Sequence, residues 1–253
     1  MTETQILRSD ESESPDEPKF SGSRNRLLSI LDPQDFALLA PAFERISLSL
    51  NEILLAAHTP IQHAYFIEEG LISIVADVSS TEGGRVEIGI VGYEGLVGLP
   101  LVLGADQSPH IGLVQAEGYA LRIPAADLQM AMHKSASLRG VLGRFAQSLI
   151  VQVGQTVYAN ADLNIEARLA RWILMTQDRL GRDELPLTHK FLSLMLGVRR
   201  PSVTMATQLL EGEGMIRARR GRITVLNREK LLDLVGDAYG VSEAEYERLL
   251  KRA

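Results

Sequence analysis

The chain has 253 residues, of which 45% are hydrophobic and 23% charged, and a net charge of −6, a composition that fits a globular protein with one or two buried cores. It contains no apolar run of about 18 residues and no basic-then-apolar leader, which excludes a transmembrane helix and predicts a cytoplasmic protein without a membrane partner. It contains no cysteine, which excludes disulfides, thiolate zinc sites and cysteine-ligated iron–sulfur clusters.

Residues 1–23 are rich in Ser, Glu, Asp and Pro and predict a disordered acidic tail, because they cannot bury enough apolar surface to offset ordering. A short helix over 24–31 follows, then a second after Asp32-Pro33, with Leu38, Leu39 and Phe43 inward and Pro33 suited to its first turn. From Ile46 to Ile123, short apolar runs (53–57, 65–67, 71–75, 86–90, 111–115 and 120–123) alternate with glycine punctuation that includes Gly70, Gly92, Gly104 and Gly118. That texture predicts an all-β domain, with a hairpin tip over 79–85.

Helices are predicted over 125–132 and 137–160. Along the second, Leu138, Leu142, Phe145 and Leu149 recur at 4-3-4 spacing, a heptad-like seam that predicts pairing with a second copy. A further helix spans 165–180 and stops at Gly181.

The informative segment comes next. Thr188 caps a short helix ending at Leu196, Gly197 makes a turn, and a second helix starts near Pro201, with Val203, Leu209 and Leu210 inward. Helix, glycine turn, helix is the helix-turn-helix arrangement. Residues 215–225 read as two strands around a basic turn, a wing. Charge follows the same division. Residues 1–160 carry 10 basic and 19 acidic side chains, whereas 188–230 carry nine and three. An acidic body with one basic module fits a protein that binds duplex DNA at one end.

The helix-turn-helix with its basic hairpin resembles the Crp/Fnr family of transcription regulators. The stretch Tyr65-Phe66-Ile67-Glu68-Glu69-Gly70-Leu71-Ile72 and the glycine-rich Gly95-Leu96-Val97-Gly98 are similar to that family's β-roll, and the likeness runs over about residues 24–235. It implies an α+β protein: a cyclic-nucleotide-binding-like β-roll (double-stranded jelly roll) over 24–133, a long dimerisation helix over 134–160 and a C-terminal winged helix-turn-helix over 161–235. Residues 236–253 are expected to form a helical extension. The implied partners are double-stranded DNA, a second copy of the chain, RNA polymerase and a small-molecule effector.

Carried over residue by residue, Arg200 stands where the family reads a guanine, and an arginine fork suits both guanine acceptors. Ser202 stands near phosphate. Arg199 and the wing residues Arg217, Arg219, Arg220 and Arg222 are placed for the backbone. Pro201 and Met205 replace two other base-reading positions, so the family's familiar target does not transfer. In the ligand loop, Leu99, Pro109 and His110 stand where cyclic-nucleotide binders place a glutamate and an arginine–serine pair. Two charge-assisted contacts are therefore missing, and cyclic AMP is not the expected effector. Arg85, Gly98, Leu99 and His110 are the candidate ligand residues, and no cofactor is expected.

The competing readings are a metal-dependent β-roll enzyme and a non-DNA-binding interaction protein. His58 and His63 lack a convincing third ligand, and no nucleophile elbow or phosphate loop is present. Arg200 and the wing arginines argue against loss of DNA binding.

Overall fold

The computed structural model describes residues 22–77 and 85–251. Most of the expected acidic tail and the expected hairpin tip lie outside them. The described residues begin with α1 (Arg26–Ser29), capped by the Asn25 carboxamide, and α2 (Pro33–Leu39), which has its proline in the first turn as expected. Leu39 and Phe43 point inward, whereas Leu38 is exposed.

The β-rich region forms one antiparallel six-stranded sheet. Its strands are β1 (Glu44–Leu48), β2 (Ile53–Leu55), β3 (His63–Asp77), β4 (Arg85–Val91), β5 (Leu96–Val97) and β6 (His110–Pro124). The order β1-β6-β3-β4 runs through two 15-residue strands that the sequence presents as four short ones. The runs join because Gly70 and Gly118 are not turns. They face each other where the β3–β6 register shifts, and a Cβ on Gly118 would lie 2.0 Å from the Glu69 carbonyl oxygen. A bulge of this kind bends the paired strands and lets the sheet curl into a roll.

A short helix α3 (Leu99–Val102) lies between β5 and β6. After the roll come α4 (Ala125–Lys134) and α5 (Ala136–Asp162), the latter started by the Ser135 hydroxyl, which accepts from the Leu138 amide. The expected dimer seam is corrected here. Leu138, Leu142 and Phe145 are fully or almost fully buried in the chain's own core, beside Leu27, Phe66 and Leu128, and Leu149 packs against the same cluster. Phe145 lies so close on the roll that a Cβ at Gly95 would meet its ring at 2.3 Å. Because the roll's open face is strongly apolar, it takes the most apolar stripe of α5 for itself. Further along α5, the Gln152 amide accepts from the Ile90 N–H (2.7 Å) and donates to the Ile90 carbonyl (3.2 Å), serving the free edge of β4.

The C-terminal domain comprises α6 (Ile165–Leu180), β7 (Glu184–Leu185), α7 (His189–Leu196), α8 (Arg200–Gly212), β8 (Ile216–Arg219), β9 (Arg222–Val225) and α9 (Arg228–Val235). Its core is Leu169, Ile173, Leu192, Met195, Val203, Leu210, Ile216 and Ile223. The same cluster takes in Leu71, Val75 and Ile90 of the roll. At that junction the buried Glu87 carboxylate accepts from Trp172 Nε1 (2.6 Å) and the Ser73 hydroxyl (2.7 Å). The final helix, α10 (Val241–Leu250), crosses back to the roll. Tyr246 donates to the Glu94 carbonyl, Tyr246 and Leu250 join the first core, and Arg26 pairs with Glu247. Among the described residues, no helix is long and apolar enough to cross a membrane.

Candidate nucleic-acid interface

Local sequence builds this module in small steps. Asn164 accepts from the Ala167 amide to start α6, and Gly181 ends it in the left-handed region. Thr188 accepts from the Phe191 amide to start α7, and Gly197, also left-handed, turns the chain toward α8. Pro201 occupies the first turn of α8, where no helical N–H is needed. The resulting helix presents one face to the domain (Val203, Ala206, Thr207, Leu210) and the other to solvent (Arg200, Pro201, Met205, Gln208, Leu209). Leu209 therefore does not pack inward as expected. Met205 is 69% exposed.

The wing is a two-residue hairpin. Arg220 and Gly221 both adopt positive φ (48° and 78°), which is the turn that suits the twist of paired strands. Ile216, Ala218, Ile223 and Val225 face the core. Arg217, Arg219 and Arg222 fall on the outer side, and Arg220 is exposed at the tip. The Glu211 carboxylate accepts from the Ala218 amide at 2.6 Å and so ties the wing to α8. Arg222 is ion-paired with Glu184 at the surface, and β7 adds a third strand behind it.

Between α8 and the wing runs a groove of about 510 Å³, lined among others by Arg200, Arg219, Arg220 and Arg222. Four of the seven expected DNA-facing residues thus share one groove. Arg199 and Arg217 are exposed outside its lining, and Ser202 is half-buried at the start of α8. Sequence reasoning missed His189, Thr204 and Gln208 on the same lining. Thr204 bonds His189 Nδ1 at 3.2 Å. The missed signal was spacing, since Arg200, Thr204 and Gln208 are four residues apart on one helix face.

The candidate ligand residues divide. Gly98, Leu99 and His110 line a cavity of about 280 Å³ between the roll and α5. Arg85 does not line it, because β4 reaches the wall only further along, through Ile88, Gly89 and Val91, while Arg85 sits at the strand's start opposite Asp77. Burial holds the His110 imidazole below its ordinary pKa.

An exposed helix led by arginine, a basic wing and a groove between them define a DNA-binding protein. Residues 167–234 match the family model of the Crp-like helix-turn-helix domain. No curated protein sequence matches the chain. Solved structures resemble it in fold. One is a transcriptional regulator of the Crp/Fnr family from Eubacterium rectale (16% identity, 83% of this chain and 97% of that one, TM-score 0.66). Another is FixK2 from Bradyrhizobium japonicum (15%, 77% and 98%, TM-score 0.67). A third is the c-di-GMP-responsive global regulator CLP of Xanthomonas campestris (16%, 77% and 99%, TM-score 0.63). The chain has the fold of the Crp/Fnr regulators and carries a Crp-like helix-turn-helix domain, and it is a DNA-binding transcription regulator.

Proposed function

We propose that the protein binds inverted-repeat operators as a homodimer in the cytoplasm, with α8 in the major groove and the wing on the flanking backbone. The observation that carries this reading is the placement of Arg200 in the first turn of an exposed helix, across a groove from Arg219, Arg220 and Arg222. Arg200 reads a guanine in each half-site. Arg199, Ser202 and the wing arginines hold phosphates and set affinity. RNA polymerase is the partner through which such binding acts on transcription.

The dimer forms along the outward face of α5. Gly143, Gln147, Ile150, Gly154, Val157 and Ala161 follow 4-3-4-3-4 spacing there and are exposed. Ile150 and Val157 supply the apolar contact, and the glycines allow a close approach. The effector site is the roll cavity lined by Gly98, Leu99 and His110, and its ligand is not cyclic AMP, because no carboxylate or guanidinium is among the described lining residues.

Paired titrations of specific and random duplex test the reading. Arg200→Ala should cost about 1–3 kcal/mol per half-site on specific DNA alone. Arg220→Ala should weaken both duplexes alike and lower the salt dependence by about one unit for each phosphate it no longer neutralises. Equal weakening on both duplexes for Arg200→Ala overturns the base-reading role.

A further inference from the structure

The chemistry of the roll cavity is one-sided. Its walls are Leu55, Ile74, Val97, Leu99, Leu149 and Val153 with further aliphatic neighbours, and its polar lining side chains are Ser108 and His110. The Ser108 hydroxyl accepts from the His110 amide at 3.0 Å and keeps its own proton to donate. Two large apolar side chains on the lining stand open to solvent, Leu103 at 63% and Ile150 at 56% exposure. Water gains little from such a surface, and an apolar occupant would release it. A charged occupant would lose its hydration and meet no counter-charge among the described lining residues.

We infer that this cavity binds an uncharged, predominantly apolar small molecule, a medium-chain aliphatic or a small aromatic with one hydrogen-bonding end directed at His110. The inference rests on the effector reading above and gives that effector its chemical class. At about 280 Å³, the cavity is at the small end of ligand pockets, which limits the occupant to a single chain or a pair of rings. Ile150 belongs both to this lining and to the outward stripe of α5. A paired α5 would therefore roof the cavity, and a bound molecule would touch the surface along which the dimer forms.

The test uses the full chain and the neutral two-ring probe 6-propionyl-2-(dimethylamino)naphthalene, followed by fluorescence, with DNA titrations on the same preparation. The expected result is saturable binding of one probe per chain. 1-Decanol should displace it at least tenfold more readily than decanoate, and cyclic AMP should not displace it. Leu99→Asp and Val153→Asp should each weaken binding at least tenfold. Leu99→Ser gives a milder reading if either aspartate variant fails to fold. Met130→Asp, at a different surface cavity, should change nothing. Absence of binding, displacement by cyclic AMP, or equal binding in the Leu99 and Val153 variants overturns the inference. Binding confined to a monomeric Val157→Asp variant also overturns it, by giving the cavity to the second copy. A wild-type chain that takes the probe but no DNA overturns the regulator reading and leaves this one standing.

Discussion

Replacing Glu87 with glutamine should stabilise the protein above neutral pH and remove the fall in stability that this carboxyl contributes between about pH 4.5 and 7. Glu87 is buried where the roll meets the DNA-binding domain. Burial pushes its carboxyl up to about 7 from 4.5, against the hydrogen bonds from Ser73 and Trp172, which favour the ionised form. At about 1.4 kcal/mol for each pH unit between those values, ionising the group in place costs about 3 kcal/mol. Below pH 4.5 both folded and unfolded chains hold the proton and stability is unaffected. Between 4.5 and 7 only the folded chain holds it, so stability falls as pH rises, and above 7 the fall is complete. A glutamine never ionises. Its carbonyl can still accept from Trp172 Nε1, and its amide can donate to the Ser73 hydroxyl. The neighbouring Gln115 Oε1 is buried without a partner. Rotation of that amide would let it accept the proton of a neutral Glu87. Urea unfolding at pH 4 to 8, followed through Trp172, the only tryptophan in the sequence, reads the difference directly. Glu87→Gln should match the wild type near pH 4.5 and exceed it by about 3 kcal/mol at pH 8. A gap that does not change with pH refutes the reasoning.

Val157→Asp should give a folded monomer by light scattering, whereas Leu142→Asp should fail to fold, because Leu142 is sealed in the chain's own core. Arg179 and Glu94 form a largely buried pair at 2.7 Å. Arg179→Ala strands the carboxylate and should lower stability by about 3–5 kcal/mol in urea unfolding, with Arg179→Met together with Glu94→Gln restoring much of it. Gly118→Ala sets a methyl against the Glu69 carbonyl and should cost about 1–3 kcal/mol in the same assay.

The helix-turn-helix was legible because local chemistry decides it. Thr188, Gly181 and Gly197 end or start helices where the sequence places them, and no tertiary contact needs to be known. The faces of α5 were not legible. The helix carries two stripes at heptad spacing, one through Leu138 and Leu142, the other through Gly143, Ile150 and Val157. Periodicity alone does not say which stripe meets the roll. The more apolar stripe went inside, and the seam expected from spacing was the intramolecular one. Gly70 and Gly118 misled for a related reason, since a glycine that ends a strand and one that lets two strands touch look alike in sequence. The crossing of α10 back to Glu94 and Arg26 joins residues about 150–220 positions apart, a distance that local pattern does not span. Arg85 was drawn into the ligand site by its charge, and strand register put it elsewhere.

Selection of bound sequences from a random duplex library by the wild-type chain and by Arg200→Ala bears most directly on how this protein reads DNA. The wild type should enrich an inverted repeat with half-site centres ~10 base pairs apart and a guanine in each half-site. Arg200→Ala should keep the symmetry and lose the preference at that guanine. Enriched sites without inverted symmetry, or the same guanine retained by the variant, would contradict a dimer that reads its operator through Arg200.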